Sequence, residues 1–180
     1  SVAITDADGD QNSLLNAGDN VSVTATFSET VNVNTDNGTP TLTLVVGSTN
    51  RAATYASGSG RDLVFRYTIQ ATGTLGENDS NGISIGANAI ALPNSSTIMD
   101  AALNNAILTH DLVDNNSSYK VDTILPTVSS VAITSATGIQ NNFLNATDVV
   151  SVTATFSESV LVPSGTPTLT LAVGSDNRTA

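Results

Sequence analysis

Cysteine and tryptophan are both missing from this chain of 180 residues. Without thiols there is no disulfide framework and no thiolate nucleophile or metal ligand. Positive charge is scarce: 5 Lys+Arg stand against 16 Asp+Glu, a net charge of −11. Nucleic acid and anionic membrane surfaces are both held by clustered cations, so neither is an expected partner. A single histidine, His110, rules out a His-rich metal centre and is read as structural. Apolar residues make up 39% of the chain but are scattered in short runs. None approaches the ~18–20 consecutive residues of a membrane span, and no signal-peptide pattern is visible. No Gly-x-Ser-x-Gly elbow and no glycine-rich phosphate loop occurs. Carboxylate pairs are unavoidable among so many acids and carry no weight as a catalytic dyad without a cleft. The expectation is a protein that is not an enzyme.

What the chain does have is itself, twice. SVAITDADGDQNSLLNAGDNVSVTATFSETVNV at residues 1–33 returns as SVAITSATGIQNNFLNATDVVSVTATFSESVLV at residues 130–162, identical at 24 of 33 positions with an offset of 129. GTPTLTLVVGSTNRAA from Gly38 returns from Gly165 as GTPTLTLAVGSDNRTA, identical at 13 of 16 positions with an offset of 127. A period this long suits one whole domain per repeat, beyond the 20–50 residues of a solenoid unit. The expected layout is a complete repeat at residues 1–122, a Pro-stiffened linker at 123–127, and the opening part of a second repeat at 128–180.

The secondary-structure signal is β throughout. Residues 21–27 alternate apolar and polar, so Val21, Val23, Ala25 and Phe27 share one face. Residues 41–46 and 63–69 alternate likewise, with Leu42, Leu44 and Val46, then Leu63, Phe65, Tyr67 and Ile69 inward. Weaker strands are expected at 2–4, 51–56, 83–92, 106–109 and 119–121, with one helical turn at 99–104. Turn chemistry marks 36–40, 57–60 and 77–82. Some seven short strands with one dry face each describe two packed antiparallel sheets: an all-β, immunoglobulin-like sandwich, longer than the minimal ~100 residues. A Thr-, Ser-, Asn- and Val-rich, acidic composition of this kind reads as extracellular and soluble.

FSExVxV, GTPTLTL, RxAxYxSGSG and LxFxYTIQ, in that order, resemble a bacterial immunoglobulin-like repeat of very large cell-surface and biofilm adhesins. The match spans nearly all of residues 1–122 and the available part of the second copy. Family members often carry an Asp-Ala-Ala-Gly-Asn segment near their end; here Leu103 stands in for its glycine, between Asp100 and Asn104. The resemblance implies a spacer strung from many such repeats and commonly stiffened by calcium.

Calcium also has candidates in the residues themselves, because Ca²⁺ takes six to eight oxygens and clustered carboxylates repel one another without a cation. Asp6, Asp8 and Asp10 sit at i, i+2 and i+4 around Gly9, with Asp19 nearby. The second copy reads Ser135, Thr137 and Ile139 at those positions, so the loop cannot depend on metal there. The other reading is an Asp-rich solvated turn. A second set follows from up-and-down strand order, which returns Glu29 to the pole that holds Asp100 and Asn104. In the second repeat the same logic brings Glu158 toward Asp122 of the linker, as a junction site. The alternatives are that Glu29 caps backbone amides and Asp122 an Asx-turn.

The expected partners are neighbouring repeats of the same protein, with no nucleic acid and no membrane insertion. A second repeat that stops in its fourth strand leaves apolar residues such as Val150, Val152, Phe156, Leu169 and Leu171 uncovered, at a cost of several kcal/mol at about 25 cal/mol per Å². Other copies completing it by strand donation would make the protein a filament or surface-layer subunit. A glycan- or protein-binding adhesin module is the third class. It lacks an exposed aromatic platform, since aromatics are only 4% of the chain.

Overall fold

The computed structural model describes residues 1–71 and 77–180. It divides into two compact units, Ser1–Ile124 and Leu125–Ala180. In the first unit the strands are β1 (Val2–Asp8), β2 (Leu14–Leu15), β3 (Asn20–Thr26), β4 (Asn32–Asn34), β5 (Thr41–Val46), β6 (Thr49–Ser59), β7 (Asp62–Thr68), β8 (Asn78–Asp79), β9 (Ile90–Ala91), β10 (Thr97–Met99) and β11 (Lys120–Asp122). The second unit has β12 (Val128–Thr137), β13 (Val149–Phe156), β14 (Thr170–Val173) and β15 (Asp176–Thr179). The fold is all-β, and among the described residues the sole helical element is one 3₁₀ turn at Pro93–Ser95.

Six strands of the first unit form an antiparallel sheet in the order β1-β3-β7-β6-β5-β9. Its dry face is written by period-2 alternation: Val21 and Val23 on β3, Leu42 and Leu44 on β5, Leu63 and Phe65 on β7 are all buried. A three-stranded sheet β2-β11-β8 and a two-stranded sheet β10-β4 supply the other layer. Their Leu15, Val121 and Ile98 join those side chains, with Ile83 and Ile85, in one buried cluster. That is a sandwich. One pairing departs from the antiparallel expectation: β11 runs parallel to β2, with Lys120 opposite Leu14 and Val121 opposite Leu15.

Several weaker expectations are corrected by the structure. The run expected at 83–92 shortens to β9 plus the single bridges Val45–Ser84 and Ile85–Val113. Asn88 takes φ 57° there, which breaks an extended run. Residues 106–109 form no strand; Ala106 N–H donates to the Ile98 carbonyl at 2.9 Å and ladder bonding goes no further. The helical turn expected at 99–104 is a closed loop, bridged by Met99 and Asn105. The turn expected at 57–60 lies mostly inside β6, which runs to Ser59.

A β-bulge decides where the first acidic segment points. The β1–β3 register shifts between Ile4 and Asp6. Unbroken alternation from Ile4 would carry Asp6 and Asp8 inward with it. The extra residue resets the parity, so Ala7 packs against the core while Asp6 and Asp8 stay exposed.

In the second unit the same ladders recur. Ile4–Val23 and Ala7–Val21 in β1–β3 become Ile133–Val152 and Ala136–Val150 in β12–β13, with the same register shift, between Ile133 and Ser135. Leu44–Arg51 and Val46–Thr49 in β5–β6 become Leu171–Arg178 and Val173–Asp176 in β14–β15. Burial does not recur. Ile4 is 8% exposed and Val46 4%, whereas Ile133 is 69% and Val173 60%.

Candidate functional site

The first acidic loop is built around Asp19. Gly9 takes φ +99° and brings its backbone so close to the Asp19 carboxylate that a Cβ there would collide with it. Asp19 Oδ2 accepts from Asn16 N–H at 2.8 Å, closing the loop after β2. The counterpart Asp148 does the same for Asn145 at 2.6 Å and lies against Gly138 at φ +88°. Asp19 is thus a loop cap in both copies, which explains why it persists where Asp6, Asp8 and Asp10 do not. Asp8 faces the Arg66 guanidinium at 3.9 Å on the outer surface of the sheet. Among the described residues no three His, Cys, Asp or Glu side chains come together as a metal-ligand group.

Glu29, Asp100 and Asn104 line one cavity of about 300 Å³, whose wall also includes Phe27, Ile107 and His110. Asp100 is heavily committed. Its Oδ1 accepts from the N–H groups of Ala102 and Asn104, both at 2.8 Å, and its Oδ2 accepts from Asn104 Nδ2 at 2.8 Å. The Asn104 side chain first, then its backbone N–H, hold the Asp100 carboxyl below its ordinary 3.8. The loop's support is therefore present above that pH and lost as the pH falls through the lowered value. His110 is similarly tied down: Nε2 accepts from Ala89 N–H at 2.8 Å, and Nδ1–H donates to the Asp111 carbonyl at 2.7 Å. That pairing uses both ring nitrogens on backbone groups.

Leu103 occupies the slot where Asp-Ala-Ala-Gly-Asn segments have glycine, and it takes φ 66° while 76% exposed. A left-handed conformation costs a β-carbon-bearing residue about 1–2 kcal/mol, and so exposed a side chain recovers little by packing. Leu103→Gly is expected to leave stability unchanged or raise it by about 1 kcal/mol, read as the urea midpoint. A loss of comparable size would mean the leucine side chain supports the loop.

Asp122, the last residue of β11, accepts from Ile124 N–H at 3.1 Å, the Asx-turn geometry, within the first unit. Glu158 belongs to the second unit, where its Oε1 is buried without a hydrogen-bond partner.

The densest polar site is one that turn chemistry concealed. Residues 77–82 carry β8, and both Glu77 and Asp79 are buried. Glu77 Oε1 accepts from Arg51 Nε and, at 2.5 Å, from the Tyr67 hydroxyl; Oε2 accepts from Gln70 N–H at 3.0 Å. The Glu77 carbonyl takes both the N–H and the hydroxyl of Thr123, at 3.1 and 2.9 Å. Asp79 closes its own turn by accepting from Asn81 and Gly82 N–H and reaches across to Gly47 N–H at 2.8 Å. A signal existed in the sequence: Arg51 shares strand parity with Ala53 and Tyr55, and Tyr67 with Leu63 and Phe65. Two polar tips on inward parities require an acceptor.

The fold and this site define an all-β sandwich in which a buried carboxylate, Glu77, joins Arg51 of β6 to Tyr67 of β7, while its main-chain carbonyl receives Thr123 just past β11. Comparison with family models, with curated proteins and with solved structures matched none of them. Among the described residues, no helix is long and apolar enough to cross a membrane.

Proposed function

We propose that this chain is a non-enzymatic, extracellular spacer segment, in which sandwich units follow one another and carry tension along a bacterial surface fibre. The observation that supports it best is the parallel pairing of β2 with β11, the strand that ends the first unit. Tension applied at the two ends of this unit reaches β1 first, which is paired with β3, and once β1 is drawn off it pulls β2 toward its N-terminal side and β11 toward its C-terminal side. In a parallel pair those pulls are opposed along the ladder, so its hydrogen bonds load together and do not unzip singly. Lys120 N–H to the Ser13 carbonyl, at 3.2 Å, belongs to that clamp, and β8 flanks β11 on its other edge. The repeated ladder registers support a design made by copying one such unit.

Pulling the chain from its ends in a single-molecule force experiment is expected to show one discrete event releasing roughly 400 Å for the first unit, at ~3.3–3.6 Å per residue. Lys120→Pro, which removes a clamp donor, is expected to lower the rupture force. Gradual yielding with no discrete event would sink the tether reading. Calcium enters the proposal at the wall shared by Glu29, Asp100 and Asn104, where backbone carbonyls and water would have to complete its shell. Bound there at a hundredfold excess over Kd, it stabilises by about 2.7 kcal/mol. Identical traces in calcium and in chelator remove the metal and leave the tether.

A further inference from the structure

Asparagine followed by glycine occurs twice in the chain, at Asn37-Gly38 and at Asn81-Gly82. Glycine has no side chain to shield its own backbone nitrogen, so in such a pair that nitrogen can reach the side-chain amide of the asparagine. The fold treats the two pairs differently. Asn37 is exposed in the loop between β4 and β5, and Gly38 N–H reaches the Thr35 carbonyl only at 3.3 Å, longer than an ordinary amide hydrogen bond. Gly82 is buried, and its N–H donates to the Asp79 carboxylate at 2.9 Å. We propose that Asn37 is a site of spontaneous deamidation, selected by the fold over Asn81.

The step runs through the main chain. Base takes the proton from the Gly38 nitrogen, which attacks Cγ of Asn37. The bond from Cγ to the side-chain nitrogen breaks, and that nitrogen gains a proton from water and leaves as ammonia. Water then opens the five-membered imide at either carbonyl, leaving aspartate or isoaspartate at position 37. At Asn81 the same attack develops negative charge on the Gly82 nitrogen against the buried Asp79 carboxylate, and the two like charges disfavour it. The bond to Asp79 must also open first. The product is not neutral for the fold. A Cβ on Gly38 would collide with the Pro93 carbonyl, so this backbone is packed tightly against the 3₁₀ turn. Isoaspartate adds one backbone atom ahead of that contact, and aspartate adds a carboxylate next to Asp36. The loop follows β4 and the turn leads into β10, so the change falls at the end of their ladder, where Asn34 lies opposite Thr97. In the second copy the pair reads Ser164-Gly165, which has no side-chain amide to lose. This chemistry stands apart from the spacer reading.

The test holds the full chain in a mildly alkaline buffer and follows peptide mass maps with time. Each deamidated asparagine gains one mass unit as ammonia is released. The expected result is accumulation at Asn37 at least about tenfold faster than at Asn81, the factor that one buried, charge-assisted hydrogen bond supplies. In guanidinium chloride, where the fold is lost, the two rates are expected to converge. Asn37→Ser, the residue of the second copy, is expected to abolish the fast release of ammonia and leave the slow change at Asn81 as it was. An Asn37 that stays intact in the folded chain for as long as the unfolded chain takes to deamidate overturns the proposal. So does a rate at Asn81 in the folded chain equal to or above that at Asn37. A difference that persists undiminished in guanidinium chloride also overturns it, by assigning the selection to the flanking sequence.

Discussion

Glu77→Ala is expected to remove about 3–5 kcal/mol from the first unit, the usual cost of taking one partner out of a buried ion pair. The reason is what stays behind. The Glu77 side chain is 1% exposed and that of Arg51 27%, so the guanidinium loses its counter-charge in a place where water replaces it poorly. The Tyr67 hydroxyl and Gln70 N–H lose their acceptor at the same time. Against a net stability of ~5–15 kcal/mol for a whole domain, this brings the unit to the edge of unfolding. A fall in urea midpoint with unchanged slope is the measurement; a change below about 1 kcal/mol would mean the network is solvated. A second reading comes from base. Burial first, and then the bond to Glu77, push the Tyr67 hydroxyl well above its ordinary 10.0. The folded unit therefore favours protonated Tyr67, a contribution fully present below about pH 10 and lost as the pH rises through the raised value. In Glu77→Ala, tyrosinate absorbance from Tyr67 is expected to develop at lower pH than in the parent.

Phe65→Ala is expected to cost about 3–5 kcal/mol by a different route, lost transfer energy plus a cavity. Phe65 is fully buried at the centre of the six-stranded sheet, between Val23 on β3 and Tyr55 on β6. It meets the Tyr55 ring edge-on at a centroid distance of 6.1 Å. Strands fixed on both sides leave little room for the site to collapse. Phe143→Ala, on a ring 73% exposed in the second unit, is expected to change stability by no more than about 0.5 kcal/mol. Equal losses for the two variants in thermal or urea unfolding would contradict the burial that separates them.

Much of the fold is legible in the amino-acid order because it rests on alternation alone. β3, β5 and β7 fall where period-2 patterns lie, and Val21, Leu42, Leu44 and Phe65 face inward as their parity requires. Strands of two or three residues, such as β2, β8 and β10, are too short to show a period and exist because a neighbour pairs with them. Glu77 and Asp79 sit in a stretch rich in Asn, Ser and Gly, where composition speaks for solvent. Their burial is set by Arg51, Tyr67 and Gly47, which the chain brings from 26, 10 and 32 residues away.

The copied segments and their alternation were settled by local order, since a side chain's face on a strand depends only on its parity and its neighbours. Three things waited for the folded chain. The bulge after Ile4 turned Asp6 and Asp8 outward, because parity can be reset only where two strands are laid side by side. The parallel join of β2 to β11 came from closing the unit's second strand against its last. The burial of Glu77 and Asp79 came from Arg51, Tyr67 and Gly47 being folded against them, because burial belongs to whatever lies opposite a segment and is not a property of the segment itself.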